Sequence, residues 1–71
     1  MTVKYWISAA GQNYWMATNA TTLRGAKTLA GRKFQPAFGG RIEVAELVNY
    51  GGESRYEVVA RRYGWDRWVN S

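Results

Sequence analysis

TTLRGAKTLAGRKFQP, residues 21–36, is the one run in this chain with a sustained helical period. Leu23, Ala26, Leu29, Ala30 and Phe34 recur at spacings that gather on one arc of a 3.6-residue turn. Thr22 is the natural N-cap, its hydroxyl placed to accept from a free amide of the first turn, with Thr21 the alternative. With residues set about 100° apart, Arg24, Lys27, Thr28 and Gly31 fall on the opposite arc, and Arg32 lies at its margin. Lys33 projects into the apolar arc, which marks the end of the regular helix. The run carries four cations, no acid and two glycines. Gly25 and Gly31 each cost roughly 1 kcal/mol relative to alanine in a helix interior, so burial of the apolar arc has to hold the segment in shape. Gly31 would also let a second backbone approach closely.

On both sides of this run the period changes to two. Val3, Tyr5 and Ile7 alternate with Lys4, Trp6 and Ser8, which predicts a half-buried strand over 3–8. Residues 9–12 can turn the chain into a β-prone run, NYWMA, at 13–17, and the pair predicts a hairpin. Residues 18–22 form a polar connection to the helix. After it, QPAFGG at 35–40 rules out helical continuation. RIEVAELV, 41–48, alternates Ile42 and Val44 with Glu43 and Ala45, then Glu46 and Leu47 shift the phase as a bulge or strand end would. NYGGES turns the chain into a strand over 55–63, with Tyr56, Val58 and Ala60 on one side and Glu57, Val59 and Arg61 on the other. Gly64, Trp65 and Asp66 turn it again into a short strand at 67–70. The expected fold is a single α+β domain over 1–71, one helix packed on an antiparallel sheet of about five strands in the order ββαβββ.

A chain of 71 residues buries only about 60% of its unfolded surface, so the core is thin and a deep catalytic cavity is not expected. The absence of Cys and His removes disulfides, thiolate chemistry, imidazole bases and the usual zinc sites together. Glu43, Glu46, Glu53 and Glu57 would make an acid/base pair only if two of them met in a cleft, and no nucleophile, phosphate loop or metal spacing accompanies them. The expectation is a non-enzyme with no cofactor and no metal. MTVKYWIS lacks the features of a signal peptide, and no apolar run approaches the roughly 20 residues that span a bilayer, so a soluble, intracellular protein is expected.

Charge is distributed unevenly. The net charge is +5, yet every acid (Glu43, Glu46, Glu53, Glu57, Asp66) follows residue 42. Residues 1–42 hold Lys4, Arg24, Lys27, Arg32, Lys33 and Arg41 with nothing to neutralise them. One part of the surface is therefore expected to be strongly positive and to attract polyanions or an acidic protein surface. Solubility alone also accounts for this much charge in small domains.

The pattern A-x-x-L-x-x-A-K-x-L-A-x-R at 20–32, a strand beginning RIE and a C-terminal hairpin ending RWVN together cover about two-thirds of the chain in order. They resemble the small phage-encoded inhibitors of type I CRISPR systems, in particular a type I-F anti-CRISPR protein, which also lays one helix across an antiparallel sheet. The resemblance implies action in the host bacterial cytoplasm on the RNA-guided surveillance complex, Cascade. There such a protein lies along the backbone subunits and blocks target DNA binding. It implies contact roles for Lys27 and Arg32. Phe34 stands where the family has a glutamine contact, Thr28 where it has a basic residue, and the turn at 49–55 is longer.

The residues themselves point to the same region. Arg24, Lys27 and Arg32, with Lys33 and Arg41 nearby in sequence, are expected to form the partner-binding patch, Arg pairing bidentately with phosphate or carboxylate and Lys acting as a mobile point charge. Phe38, Tyr50 and Trp65 are candidate loop anchors. YEVVARRYGWDRWVN, 56–70, interleaves Arg61, Arg62 and Arg67 with Tyr63, Trp65 and Trp68. That mixture suits base stacking by a single-strand binder, or, preferred here, aromatic pairing with Arg lying over rings. The alternative function is a small phage nucleic-acid-binding protein that uses the same cations on DNA or RNA directly. Monomer and homodimer both remain open, the latter through an exposed edge strand.

Overall fold

In the computed structural model, which describes residues 3–9, 14–34, 40–64 and 66–70, Thr22 caps the helix. Its backbone is extended and its hydroxyl accepts from the Gly25 amide at 3.1 Å. Helix α1 runs Leu23–Lys33 and ends where the Phe34 amide donates to the Ala30 carbonyl at 2.9 Å and Phe34 turns extended. Thr22→Ala is expected to cost about 1 kcal/mol, read as a lower denaturation midpoint, because that amide loses its acceptor.

Two short strands precede α1, β1 (Trp6–Ala9) and β2 (Met16–Ala17), and three follow it, β3 (Arg41–Tyr50), β4 (Glu53–Tyr63) and β5 (Val69–Asn70). Among the described residues the architecture is α+β, with one helix and one antiparallel five-stranded sheet. Across the sheet the strands lie β2-β1-β3-β4-β5, which is not their order along the chain. Since β2 and β3 both run antiparallel to β1, they run the same way as each other, and α1 supplies the crossover such a connection needs.

The first hairpin is shorter than its sequence suggests. Among the described residues Trp6↔Ala17 and Ile7↔Met16 pair, and the Thr18 amide (3.1 Å) and hydroxyl (2.8 Å) both donate to the Tyr5 carbonyl at the open end of this ladder. Strands β3 and β4 are longer than expected and leave only Gly51 and Gly52 as the turn, at φ 56° and 93°. The two-residue type I′ turn, whose twist matches the strands, needs positive φ at both central positions. The expected final strand at 67–70 is reduced to its last two residues.

Alternation and register define two faces. Ile7, Val44 and Ala60 stand in one row on the α1 side, with Ile42 and Arg62 in the next. Ala26 and Ala30, both fully buried, set the helix close over Ile42 and Val44, the largest fully buried side chains. Met16, Ala20, Leu23, Phe34, Val59 and Trp68 close the margins of this core.

The expected phase shift at Glu46 and Leu47 is not where the ladder breaks. Register shifts between Val44 and Ala45, which pair with Ala60 and Val58, so Val59 of β4 is the extra residue. Strand β3 alternates without interruption. It looks shifted because α1 covers only Ile42 and Val44, whereas farther along the apolar residue, Leu47, belongs to the reverse face. The bulge also corrects the expected faces of β4: Tyr56 and Val58 point away from α1, and Ala60 and Arg62 point toward it. On the reverse face Tyr56 meets Trp6 edge-on and stacks on Trp15, each at 5.5 Å between ring centres.

Past Ala45 and Val58, β3 and β4 continue as a two-stranded arm. Its turn is tied by Ser54 donating to Asn49 and by the Tyr50 hydroxyl donating to Glu57, with Arg55 4.8 Å from the Tyr50 ring centre. The bond to the Glu57 carboxylate, with smaller contributions from desolvation and the charge itself, pushes the Tyr50 pKa above its usual value. That bond contributes while the phenol is protonated and is lost as pH rises through its titration.

Candidate functional site

The outward arc of α1 and the far edge of the sheet enclose an open notch of about 370 Å³. The helix contributes Arg24, Lys27, Thr28, Gly31 and Arg32, and the sheet side contributes Arg62 and Trp68. Among the described residues lining it, none is acidic.

Two of the cations are held. Lys27 Nζ donates to Asn70 Oδ1 at 2.7 Å and lies 6.0 Å from the centre of the Trp68 ring. Arg62 Cζ lies 5.2 Å from the centre of the same ring. A tryptophan face attracts cations, so Trp68 is a floor on which two positive groups are set side by side. Arg62 reaches this place because the Val59 bulge turns it to the helix side, and Asn70, the Cα partner of Ala60, falls on that side as well. Arg24 and Arg32 are exposed at the two ends of the arc. Eight residues apart, they lie about 12 Å apart along the helix axis.

At Gly31 the neighbour is a side chain and not the expected close backbone. A methyl group there would meet the Arg62 guanidinium at 3.6 and 3.7 Å, which is ordinary contact. Gly31→Ala is therefore expected to stabilise the domain by up to about 1 kcal/mol, or roughly 4–8 °C in melting temperature. Gly25 differs, since a methyl group would press on the Thr22 cap oxygen at 3.2 Å.

Of the expected binding residues, Arg24, Lys27 and Arg32 come together. Lys33, the exposed last residue of α1, does not line the notch. Arg41 is not part of the patch. Register puts it on the reverse face, where its Nε lies 3.4 Å from Glu43 Oε1, because residues two apart on one strand share a face. Phe38 and Trp65 lie outside the described residues. Tyr50 sits in the arm with Glu57 and Arg55, away from the notch. Arg62 and Trp68, expected from the sequence as part of a C-terminal mixture of cations and rings but not of the partner-binding patch, join it here, and Asn70 has no counterpart in the sequence reading. The signal was the Val-Val-Ala run at 58–60, apolar on both faces, where an extra strand residue is easily accommodated.

The carboxylates are placed apart from this notch. Glu46 and Glu57 are cross-strand Cα partners on the arm, Glu57 accepting from Tyr50. A second, smaller depression of about 320 Å³ is lined by Val3, Lys4, Glu46 and Leu47, without Glu57. Among the described residues no helix is long and apolar enough to cross a membrane. Compared with known families and curated proteins, the chain matches no family model and no curated sequence.

Proposed function

We propose that this is a non-catalytic docking protein whose contact surface is the outer arc of α1 together with Arg62 and Trp68. The observation that carries the proposal is the convergence of Arg24, Lys27, Arg32 and Arg62 around one notch with no acid among its described lining residues. Such a surface is complementary to phosphates or carboxylates, and cations prefixed on a rigid ring lose less freedom on binding than free side chains. The target proposed is a type I CRISPR surveillance complex in the bacterial host, and the effect proposed is loss of target DNA binding. The resemblance of residues 20–32, the RIE strand and the RWVN hairpin supports that choice of target.

The test adds the purified protein to a purified surveillance complex before labelled target DNA. Co-migration with the complex and loss of the DNA-bound band are expected. Unchanged DNA binding at saturating protein rejects the target.

A second reading, direct binding of nucleic acid, is favoured by the same four cations around the notch, which a run of phosphates would neutralise. Salt distinguishes the two. Direct phosphate neutralisation makes log K fall with log salt by about 0.7–0.9 per phosphate, uniformly across sequences, whereas docking on protein depends more on shape.

A further inference from the structure

Strand β4 is eleven residues long, but β5 covers only Ala60 and Arg61 on its outer side. Among the described residues, no strand lies along the outer edge of β4 from Glu53 to Val58. On the other flank, β1 pairs with β3 only from Ile42 to Ala45, so the arm that carries this edge is two strands wide. A lone two-stranded ribbon is marginal in water, and a long unpaired edge is a template for another strand.

The residues along this edge suit one occupant. On one face stand Glu53, Arg55 and Glu57, an alternation of sign that complements itself when the strand is reversed. On the other face stand Ser54, Tyr56 and Val58. An antiparallel pairing centred on Tyr56 sets Arg55 opposite the second copy's Glu57, and Glu57 opposite the second copy's Arg55. Opposite charges in such cross-strand pairs are favourable, and a two-fold axis makes each occur twice. Glu57 Oε1 already accepts from Tyr50, so the incoming guanidinium meets Oε2. The reverse face agrees. The Trp6, Trp15 and Tyr56 cluster ends at Tyr56, which is 42% exposed, and the same register continues it directly into the second copy's Tyr56.

We infer that the protein forms a two-fold homodimer by antiparallel pairing of β4 edges about Tyr56, which joins the two sheets into one. The inference is independent of what the α1 face binds, since that face lies on the other end of β4 from the arm.

Sedimentation equilibrium of the full chain, from micromolar to millimolar concentration, is expected to show the 8.1 kDa mass doubling. Arg55→Glu is expected to abolish the doubling by opposing like charges. Arg55→Glu combined with Glu57→Arg is expected to restore it, because the pairs are re-formed with their signs exchanged. The chain has no cysteine, so Tyr56→Cys introduces a single thiol at the axis, where Cα atoms of a paired position lie about 4.5–5.5 Å apart and a disulfide fits. Mild oxidation is expected to cross-link it. Ser54→Cys, whose copies would lie about 14 Å apart along the strands, is expected to stay uncross-linked. A mass that stays at one chain with no cross-linking of Tyr56→Cys overturns the inference, even if the edge accepts a foreign peptide. So does a dimer that Arg55→Glu leaves intact.

Discussion

Arg24→Glu combined with Arg32→Glu is expected to weaken docking at least about a hundredfold while leaving the fold in place. Opposing like charges across an interface costs several kcal/mol, and each 1.4 kcal/mol is about tenfold in affinity. The pair changes the charge of the notch rim by four units without touching the floor, since Lys27 and Arg62 keep Trp68 beneath them. Stability is expected to change by less than about 0.5 kcal/mol, as for most exposed positions. The helix field also works in opposite senses at the two sites. An acid near the start of α1, whose first turn has none, is favourable, and an acid in the last turn is unfavourable, each by about 0.3–1 kcal/mol. Arg41→Gln is the control. It removes a cation of the reverse face that already meets Glu43, and affinity is expected to stay within about twofold. Binding measured by titration, beside a thermal melt of each variant, checks both halves. If the double reversal binds as the parent does, the notch is not the docking surface.

The second large effect concerns the core beneath that surface. Ile42→Ala is expected to cost about 2–5 kcal/mol, because Ile42 is fully buried under Ala26 and Ala30 and their short side chains cannot move in to fill the space. A domain of this length has a total stability of roughly 4–11 kcal/mol, so one substitution removes a large share of it. The melting temperature should fall by at least about 10 °C. Leu47→Ala tests the contrast, because Leu47 is 40% exposed on the reverse face beyond the reach of α1 and should cost clearly less. Equal losses at the two positions would mean that the reverse face is also covered.

The helix was legible because its signals agree: a threonine cap, apolar residues every three to four positions, and Lys33 breaking the arc where the helix stops. The strands were legible from their alternation, and the turns from paired glycines. Strand ends were less so, because hydrogen bonds that no residue type announces decide them. The long pairing of β3 with β4 shrinks NYGGES to two turn residues. Half of the notch was legible, namely the half on one helix, where angular spacing is enough. The other half depends on a single extra residue in β4 that sends Arg62 and not Arg61 to the helix side. Arg41 was assigned by nearness in sequence to Lys33, whereas a strand separates neighbours by face, and its partner two residues along was the better clue.

The extra residue at Val59 gives β4 one amino acid to spare. Deleting it would let Val58 and Ala60 follow one another opposite Ala45 and Val44, so Arg62 would keep its place beneath the helix and only the local bend would be lost. An insertion between Ala60 and Arg62 acts in the opposite sense, carrying Arg62 to the other surface and bringing Arg61 in its stead. Homologous chains should therefore shed a residue here more readily than they gain one.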